Sequence, residues 1–421
     1  MLRAAPVLLA ALLLTACGGG SDAPATTAAE APSGDVAVLV EHVVTVHPDP
    51  WHEISEEGFR AAAAELDAAW PELDANERLV ELMRLLALLG PRDGHSGIFP
   101  LDDAHEQELT LYPLRLYAFP DGLFVVSAED EALVGLELIS VAGRPVDEVL
   151  ALVEPLVPRD NEQSLAARAP QWLVTAEVLA GLGGVGGAAA PIERVFRRGE
   201  DDTLATQVEP VPASEYAAGQ PDLFHPMVPQ GLPGVPGGPA YLARRGEERW
   251  AEWVDDGRAV HAAYNVTLGT TSDFALQVLR LAQRPGVRQV ILDLRHNPGG
   301  NNTTYGPLLQ ALGTVPGLTV LTSRTTFSAA ANLLAELERD AEPLLVGEPT
   351  GGSPNLYGDP VDVLLPETGL AAHVAGEYWE LAPPDDERLA FEPDVPVELA
   401  VGDYFAGRDP VLTAALGRAP R

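Results

Sequence analysis

The chain has 421 residues and a formal net charge of −36, which results from 26 basic and 62 acidic side chains. All 26 basic residues are arginine, so the sequence contains no lysine. This excludes a Schiff-base enzyme, a Walker-type phosphate loop and a serine–lysine dyad, because each of them needs a side-chain ammonium group. The acidic excess also argues against a nucleic-acid partner, since such a surface repels phosphate backbones. With 46% hydrophobic residues the chain can bury a core, and its length fits about two or three domains.

The N-terminus combines a short basic start, a largely apolar run over residues 6–16 and the only cysteine, Cys17. A run this short predicts a secretory signal peptide over residues 1–17, because a membrane-spanning helix needs about 20 apolar residues. The sequence LTAC at residues 14–17 resembles the lipobox of bacterial lipoproteins, in which the cysteine carries a diacylglycerol. An ordinary signal with a chance cysteine is the alternative. Residues 18–35 have the composition of a flexible tether. We expect an extracytoplasmic protein held at a bacterial membrane by lipid on Cys17.

Residues 36–100 predict a helical segment that ends in a polar loop. Ser55 can cap one helix, and leucines recur at helical spacing between residues 79 and 89 of a second helix. Gly90 and Pro91 end that pattern. The loop that follows, residues 92–97 (RDGHSG), contains His95.

The rest of the chain divides into a β-rich module over residues 101–185 and a layered α/β domain over residues 186–421. Strand patterns at 111–118, 123–127 and 134–141 precede a short helix at 146–154 in the first part. Residues 221–239 hold six prolines and four glycines, which indicates a long surface loop, either a lid or a disordered segment. Strands and helices then alternate, which is typical of a layered α/β domain; we predict strands at 260–266, 287–294, 318–322 and 343–346 and helices at 272–283, 305–312 and 328–339.

Two segments at the ends of apolar strands could carry chemistry. Residues 293–300 (DLRHNPGG) end in a glycine pair, which leaves backbone N–H groups free to face a ligand. Residues 325–332 (TTFSAAAN) place Ser328 at the start of a helix, where unpaired N–H groups and the positive end of the helix dipole suit an oxyanion. Serine is also a preferred N-cap residue, so a purely structural Ser328 is the alternative.

These motifs resemble those of the C-terminal-processing (tail-specific) serine proteases. The resemblance rests on residues 293–300, 326–329 and 347–352 (GEPTGG), with support from 93–96 (DGHS) and 392–395 (EPDV), and it covers most of residues 35–416. It implies an α/β fold: a ClpP/crotonase-like layered catalytic domain, preceded by the N-terminal helical segment and a degenerate PDZ-like β-rich module. It further implies a serine peptidase that hydrolyses a peptide or protein substrate through an acyl-enzyme, with no metal and no cofactor.

The family has two solutions for the general base. Many members place a lysine about 25 residues after the serine, and residues 351–358 of this chain offer none. The other branch, which is similar to the tricorn protease core, uses a distant histidine. The resemblance therefore implies that Ser328 is the nucleophile and His95 the general base.

In that branch a glutamate orients the histidine through a second serine. Glu387 is the best match for the glutamate and Ser96 for the bridging serine, although the branch places its serine at the position of Gly94. The resemblance also implies an oxyanion hole made by the backbone N–H of Ala329 together with that of Gly299 or Gly300.

Two other functions use the same features. The family includes repeats of interphotoreceptor retinoid-binding protein, so a non-catalytic binder of a hydrophobic small ligand or a peptide is one alternative. An esterase-type acyl hydrolase is another, because the same groups cleave esters. A metal site on His42, His47 and His52 is not expected, since spacings of five residues do not align ligands on a helix. His296, beside the glycine pair, could line a pocket or be an ordinary loop residue.

Overall fold

The computed structural model describes residues 34–102, 104–183, 190–199, 202–218, 232–233 and 238–418. The predicted signal peptide with Cys17, nearly all of the tether and most of the loop at 221–239 lie outside these residues. Within the described ranges, each helix is too short or too polar to cross a membrane.

Helices cover the N-terminal region and alternate with strands later in the chain. The α-helices of the described residues are α1 (Asp35–Val46), α2 (Glu56–Ala69), α3 (Ala75–Ala87), α4 (Val146–Val153), α5 (Glu162–Trp172), α6 (Ala176–Gly181), α7 (Ala213–Ala218), α8 (Ala240–Ala243), α9 (Ser272–Ala282), α10 (Gly306–Leu312), α11 (Ala329–Ala341), α12 (Val401–Phe405) and α13 (Pro410–Leu416). The strands are β1 (Thr110–Leu111), β2 (Leu114–Phe119), β3 (Gly122–Ala128), β4 (Glu137–Val141), β5 (Arg144–Pro145), β6 (Ile192–Arg197), β7 (Thr203–Val208), β8 (Val211–Pro212), β9 (Arg249–Val254), β10 (Ala259–Tyr264), β11 (Gln289–Asp293), β12 (Leu318–Thr322), β13 (Leu344–Gly347), β14 (Asn355–Leu364), β15 (Ala371–Glu380) and β16 (Val395–Pro396).

A six-stranded sheet with the order β16-β13-β12-β11-β10-β9 organises the C-terminal domain. Its strands are parallel except for β9, which pairs antiparallel with β10. Every residue of β10, β11 and β12 is buried, as expected for a parallel sheet that is covered on both faces. The alternation predicted from the sequence is present here, with strand and helix ends that differ from the predicted ones by a few residues.

A second sheet forms the β-rich module, with the order β2-β3-β4-β6-β7 and β5 beside β4. Strands β6 and β7 lie beyond residue 185, in the part of the chain that the sequence analysis gave to the α/β domain, yet β6 pairs with β4. The alternating burial of β6 explains this pairing: one face of the strand is buried against the module and the other is exposed.

A long antiparallel hairpin, β14 with β15, joins the N-terminal helices to the C-terminal domain. Helix α1 packs against both of its strands. The carboxylate of Asp35, at the start of α1, accepts hydrogen bonds from the backbone N–H groups of Glu367 and Thr368 in the hairpin turn. The hairpin therefore fixes the N-terminal region, which carries His95, over the α/β domain.

Candidate active site

The two segments that the sequence analysis singled out follow neighbouring strands of the central sheet. Residues 294–300 follow β11 and residues 323–328 follow β12, and the register pairs Asp293 with Leu321 near the ends of both strands. Parallel strands end at the same edge of a sheet, so the two loops meet there. The N–H of Phe327 donates to the carbonyl of Asn297 (3.1 Å) and joins the loops directly.

Ser328 has a strained backbone and does not cap its helix with its side chain. Its φ of 53° and ψ of −127° lie in a region that residues other than glycine rarely adopt. It precedes α11, but its side chain makes no capping hydrogen bond. By contrast, the hydroxyl of Ser55 accepts a hydrogen bond from Gly58 N–H at the start of α2. The side chain of Ser328 therefore does not act as an N-cap, which was the purely structural alternative for this residue.

Only glycine fits at position 299, beside Ser328. It adopts φ 105°, and a Cβ atom there would lie 2.5 Å from the Cβ of Ser328 and 2.9 Å from the amide nitrogen of Ala329. Atoms cannot approach so closely, and the conformation itself is accessible mainly to glycine. The glycine pair is therefore explained by the close approach of two backbone segments at Ser328.

The structure brings His95 to Ser328. The Nε2 atom of His95 lies 3.0 Å from the Oγ atom of Ser328, within hydrogen-bond distance for proton transfer. The ring of His95 stacks on the ring of Phe327, with centroids 4.8 Å apart and planes inclined by 25°. Both Ser328 and His95 are half-buried.

Backbone hydrogen bonds join the loop that carries His95 to the β14–β15 hairpin. Gly97 and His373 of β15 exchange two N–H···O=C bonds, of 3.0 and 2.9 Å. The carbonyl of Arg92 accepts the N–H of Tyr357 in β14 (2.9 Å). Contacts on both sides of His95 therefore tie its loop to the β14–β15 hairpin.

Three backbone N–H groups of the two site loops are candidates for an oxyanion hole. One of them already donates a hydrogen bond, and the other two have no acceptor among the described residues. The N–H of Gly299 donates to Oδ1 of Asn297 (2.9 Å), and the same oxygen accepts from the hydroxyl of Thr267 (3.2 Å). Among the described residues nothing accepts from the N–H of Gly300 or from that of Ala329 at the start of α11. Of the two glycines predicted for an oxyanion hole, Gly300 is thus the one with an available donor.

Buried charges anchor the loop after β11. Arg295 donates to both carboxylate oxygens of Asp293 and, at 2.9 and 3.0 Å, to those of Asp409 just before α13. Burial alone would raise the pKa of Asp293, but Arg295 and His261 hold that pKa well below its ordinary value. The carboxylate therefore stays ionised and keeps the loop attached to the sheet.

His47 and Asp93 form a buried pair next to the His95 loop. The Nε2 atom of His47 lies 3.2 Å from Asp93, and both side chains are fully buried. Burial alone would raise the pKa of Asp93, but the hydrogen bond and charge of His47 lower it overall. Asp93 is thus the structural partner of His47, which the sequence analysis did not identify.

No group of three or more ligating side chains in the described ranges is arranged to hold a metal ion.

Glu387 is exposed and makes no contact with Ser96 among the described residues. Its role in orienting His95 stays a prediction. Its neighbour Arg388 forms a surface ion pair with Glu338 (2.6 Å), which directs this segment toward the outside of α11. The hydroxyl of Ser96 accepts the N–H of Ala375 in β15 (2.9 Å), so its position holds the loop to the hairpin.

Two residues that the sequence analysis missed contact the His95 loop. Asp160 and Arg168, which are 0% and 2% exposed, each hydrogen-bond to Gly94. The sequence did carry a signal for Arg168: Ser164, Arg168 and Trp172 share one face of α5 at spacings of four, and Trp172 predicts that this face is buried.

The described contacts of His296 are with residues other than Ser328. It is buried and stacks on Tyr241, with ring centroids 5.4 Å apart and planes inclined by 14°. Burial, with nearby arginines, lowers its pKa well below the ordinary value, so the ring is neutral at physiological pH. It lines a small cavity with Tyr117 and Glu348.

Comparison with known proteins gives a match at the level of fold. No protein-family model matches the chain, and no curated protein matches its sequence. The structure of mature CPAF complexed with lactacystin is similar, with a TM-score of 0.58 at 13% identity over 89% of this chain and 94% of that chain. A serine-to-alanine mutant of CPAF gives a TM-score of 0.62 at 14% identity, over 89% and 94%. The photosystem II D1 C-terminal processing protease gives a TM-score of 0.41 at 14% identity, over 86% and 92%.

The chain therefore has the fold of CPAF. The predicted fold class is confirmed: N-terminal helices, a β-rich module and a layered α/β domain occur in the predicted order.

Proposed function

We propose that the protein is a serine peptidase in which Ser328 is the nucleophile and His95 the general base. The observation that carries this proposal is the 3.0 Å separation between Nε2 of His95 and Oγ of Ser328. The strained backbone of Ser328 and the available N–H groups of Gly300 and Ala329 support it further.

In the proposed reaction, Oγ of Ser328 attacks the carbonyl carbon of the substrate while Nε2 of His95 takes the hydroxyl proton. The N–H groups of Ala329 and Gly300 stabilise the oxyanion that develops, and the positive end of the α11 dipole adds to this effect. His95 then returns the proton to the leaving amine, and an acyl-enzyme remains on Ser328. A water molecule, deprotonated by His95, hydrolyses that ester and releases the second product.

The distance of 3.0 Å between Nε2 of His95 and Oγ of Ser328 also argues against the alternative of a non-catalytic binding protein. A binder on this fold has no need for an imidazole within hydrogen-bond distance of a serine hydroxyl. An esterase would use the same groups, so ester and peptide substrates have to be compared directly.

We further propose that the peptidase is extracytoplasmic and anchored to a bacterial membrane by lipid on Cys17. The support is the sequence pattern of residues 1–17 followed by a segment with the composition of a tether.

Hydrolysis of a quenched fluorescent peptide library by the purified protein tests the proposal. We expect wild-type protein to cleave peptides, and Ser328→Ala and His95→Ala each to lose at least about 10³-fold in kcat. Matched ester substrates show whether the enzyme prefers amides or esters. Full peptide hydrolysis by both variants would reject the proposed site.

A further inference from the structure

We propose that Asp160 and Arg168 are positioning residues that hold His95 against Ser328 by binding the backbone of Gly94. This inference rests on the proposed function, because it concerns the placement of the proposed general base. We call Asp160 and Arg168 the Gly94 clamp.

The clamp holds both polar groups of the residue directly before His95. Oδ1 of Asp160 accepts the N–H of Gly94 at 2.7 Å, and Nη1 of Arg168 donates to the carbonyl of Gly94 at 2.6 Å. These short hydrogen bonds involve charged partners, which are the stronger kind. Because Gly94 and His95 are adjacent, holding the Gly94 backbone from both sides fixes the point from which the imidazole side chain extends.

The clamp also reaches the segment of the nucleophile. The guanidinium of Arg168 lies over the ring of Phe327, 4.5 Å from its centroid, and the ring of His95 stacks on the same phenyl group. Oδ2 of Asp160 accepts the N–H of Ser353 at 3.0 Å. Arg168 thus contacts the residue before His95 and the residue before Ser328, which makes it a direct link between the two halves of the site.

The packing leaves no space for a side chain at position 94. A Cβ atom on Gly94 would lie 2.8 Å from Asp160 Oδ1, 2.9 Å from Phe327 Cζ and 3.0 Å from Arg168 Nη1. The serine that the tricorn-like branch places here could not be accommodated. The charged side chains of the clamp occupy that volume.

The electrostatics fit a clamp that works through its charge. Burial lowers the pKa of Arg168 to about 10, so its guanidinium remains protonated at neutral pH. Burial raises the pKa of Asp160 to about 6 against the effect of its backbone hydrogen bonds, so the carboxylate is largely ionised at pH 7 and above. A buried charge is costly unless its hydrogen bonds are made, which favours the single geometry in which both charges engage Gly94.

A matched control variant distinguishes an effect on the position of His95 from a general loss of folded protein. Arg194 is also buried, lies over an aromatic ring (Tyr112, 3.9 Å) and donates to a backbone carbonyl (Leu173, 3.2 Å), but it contacts neither site loop. Arg168→Gln and Arg194→Gln should therefore destabilise the fold to a similar extent. The number of active molecules in each sample is counted by titration to completion with a serine-directed phosphonate.

We expect kcat per titrated site to fall about 100-fold in Arg168→Gln with KM changed less than about 2-fold, because a displaced general base impairs the chemical step. Arg194→Gln should keep the wild-type kcat per titrated site. An unchanged kcat per titrated site in Arg168→Gln would overturn the proposal, since loss of folded protein alone lowers only the number of sites.

The isosteric variant Asp160→Asn provides a second test. If Arg168→Gln does not fold, the result for Asp160→Asn decides the question. Its control is Asp35→Asn, because Asp35 is also buried and also accepts two backbone N–H bonds, from Glu367 and Thr368. A fall in kcat per site for Asp160→Asn and not for Asp35→Asn supports the clamp; equal values for the two variants contradict it. Failure of the proposed function is distinguishable, because wild-type protein would then neither hydrolyse peptides nor titrate with the phosphonate.

Discussion

The Nε2 atom of His95 lies 3.0 Å from the Oγ atom of Ser328, although 233 residues separate the two in the sequence. His95 comes from the loop after the N-terminal helices, and Ser328 comes from the central sheet of the C-terminal domain. The β14–β15 hairpin and the Gly94 clamp bring the two segments together. A chain without lysine therefore has an imidazole within hydrogen-bond distance of its serine hydroxyl.

Ser328 and Ser55 precede helices in the same way but differ in what their hydroxyl groups do. Ser55→Ala removes a capping hydrogen bond, so we expect the free energy of unfolding to fall by about 1 kcal/mol while activity per folded molecule is unchanged. Ser328→Ala removes no such bond, so we expect activity to be lost with stability near that of the wild type. Urea denaturation and peptide hydrolysis measure the two effects. The reverse pattern would identify Ser328 as an ordinary cap.

A methyl group at position 94 should disturb the site. Gly94→Ala places its Cβ within 3.0 Å of three side chains, and overpacking of this kind typically costs about 1–3 kcal/mol. We expect lower stability and a reduced kcat, because the displaced atoms belong to the clamp and to Phe327. Gly246→Ala is the control, since no atom lies within 4 Å of its added Cβ. Equal behaviour of the two variants in thermal unfolding and hydrolysis would show that the space around Gly94 is not restrictive.

Asp160 should make stability depend on pH. Its folded-state pKa of about 6 lies above the ordinary value of 3.8, so the folded protein binds this proton more tightly than the unfolded chain does. Its contribution is therefore fully present below about pH 4 and is lost as the pH rises through about 6. Relative to wild type, Asp160→Asn should gain about 2 kcal/mol in unfolding free energy between pH 4 and pH 7. Urea denaturation across this range measures the difference, and a pH-independent difference would refute the assignment.

His373 should also make stability fall with rising pH, but at a higher pH than Asp160 does. Its ring contacts the carboxylates of Asp102 and, 2.6 Å from Nδ1, of Asp362. Burial by itself lowers the pKa of His373, but these carboxylates raise it overall above the ordinary 6.5. The stabilisation is thus complete below about pH 6.5 and disappears as the pH rises through the raised pKa. We expect His373→Gln to flatten the fall in wild-type stability above pH 6.5; an identical slope in both proteins would count against the charge assignment.

The lipid anchor is testable without reference to catalysis. In a bacterial host we expect the full-length protein to fractionate with membranes and to carry a lipid-sized mass increase at Cys17. Cys17→Ser should appear in the soluble extracytoplasmic fraction. Membrane association that persists unchanged in Cys17→Ser would contradict lipid attachment at this residue.

Local sequence signals predicted the central part of the fold well. Buried parallel strands read as continuous apolar runs, so β10, β11 and β12 were placed within about three residues of their observed ends. The motifs around Ser328 and Gly299 were identifiable because the close approach of two backbone segments requires glycine. Because the chain lacks lysine, the family resemblance implies a histidine base, and His95 matches it.

The supporting contacts of the site were much harder to predict. The prediction of Glu387 rests on its position in the sequence alone; its segment faces solvent and pairs with α11 through Arg388. The spacing along α5 predicts that Arg168 is buried but not what it contacts. Its partner, which it shares with Asp160, is the backbone of Gly94, and a backbone has no side-chain signature. The long hairpin was also missed, because its solvent-facing half lacks a continuous apolar pattern. Contacts to a backbone across the fold depend on tertiary structure, which periodicity does not encode.

Covalent labelling by a serine-directed phosphonate, mapped by peptide mass spectrometry, tests the central claim most directly. We expect one phosphonyl group per wild-type molecule on the peptide that contains Ser328, no adduct in Ser328→Ala, and labelling slowed by at least about 10³-fold in His95→Ala. Ser55→Ala should label like the wild type. Labelling at another residue, or equal rates in wild type and His95→Ala, would contradict the assignment of Ser328 and His95 as nucleophile and base.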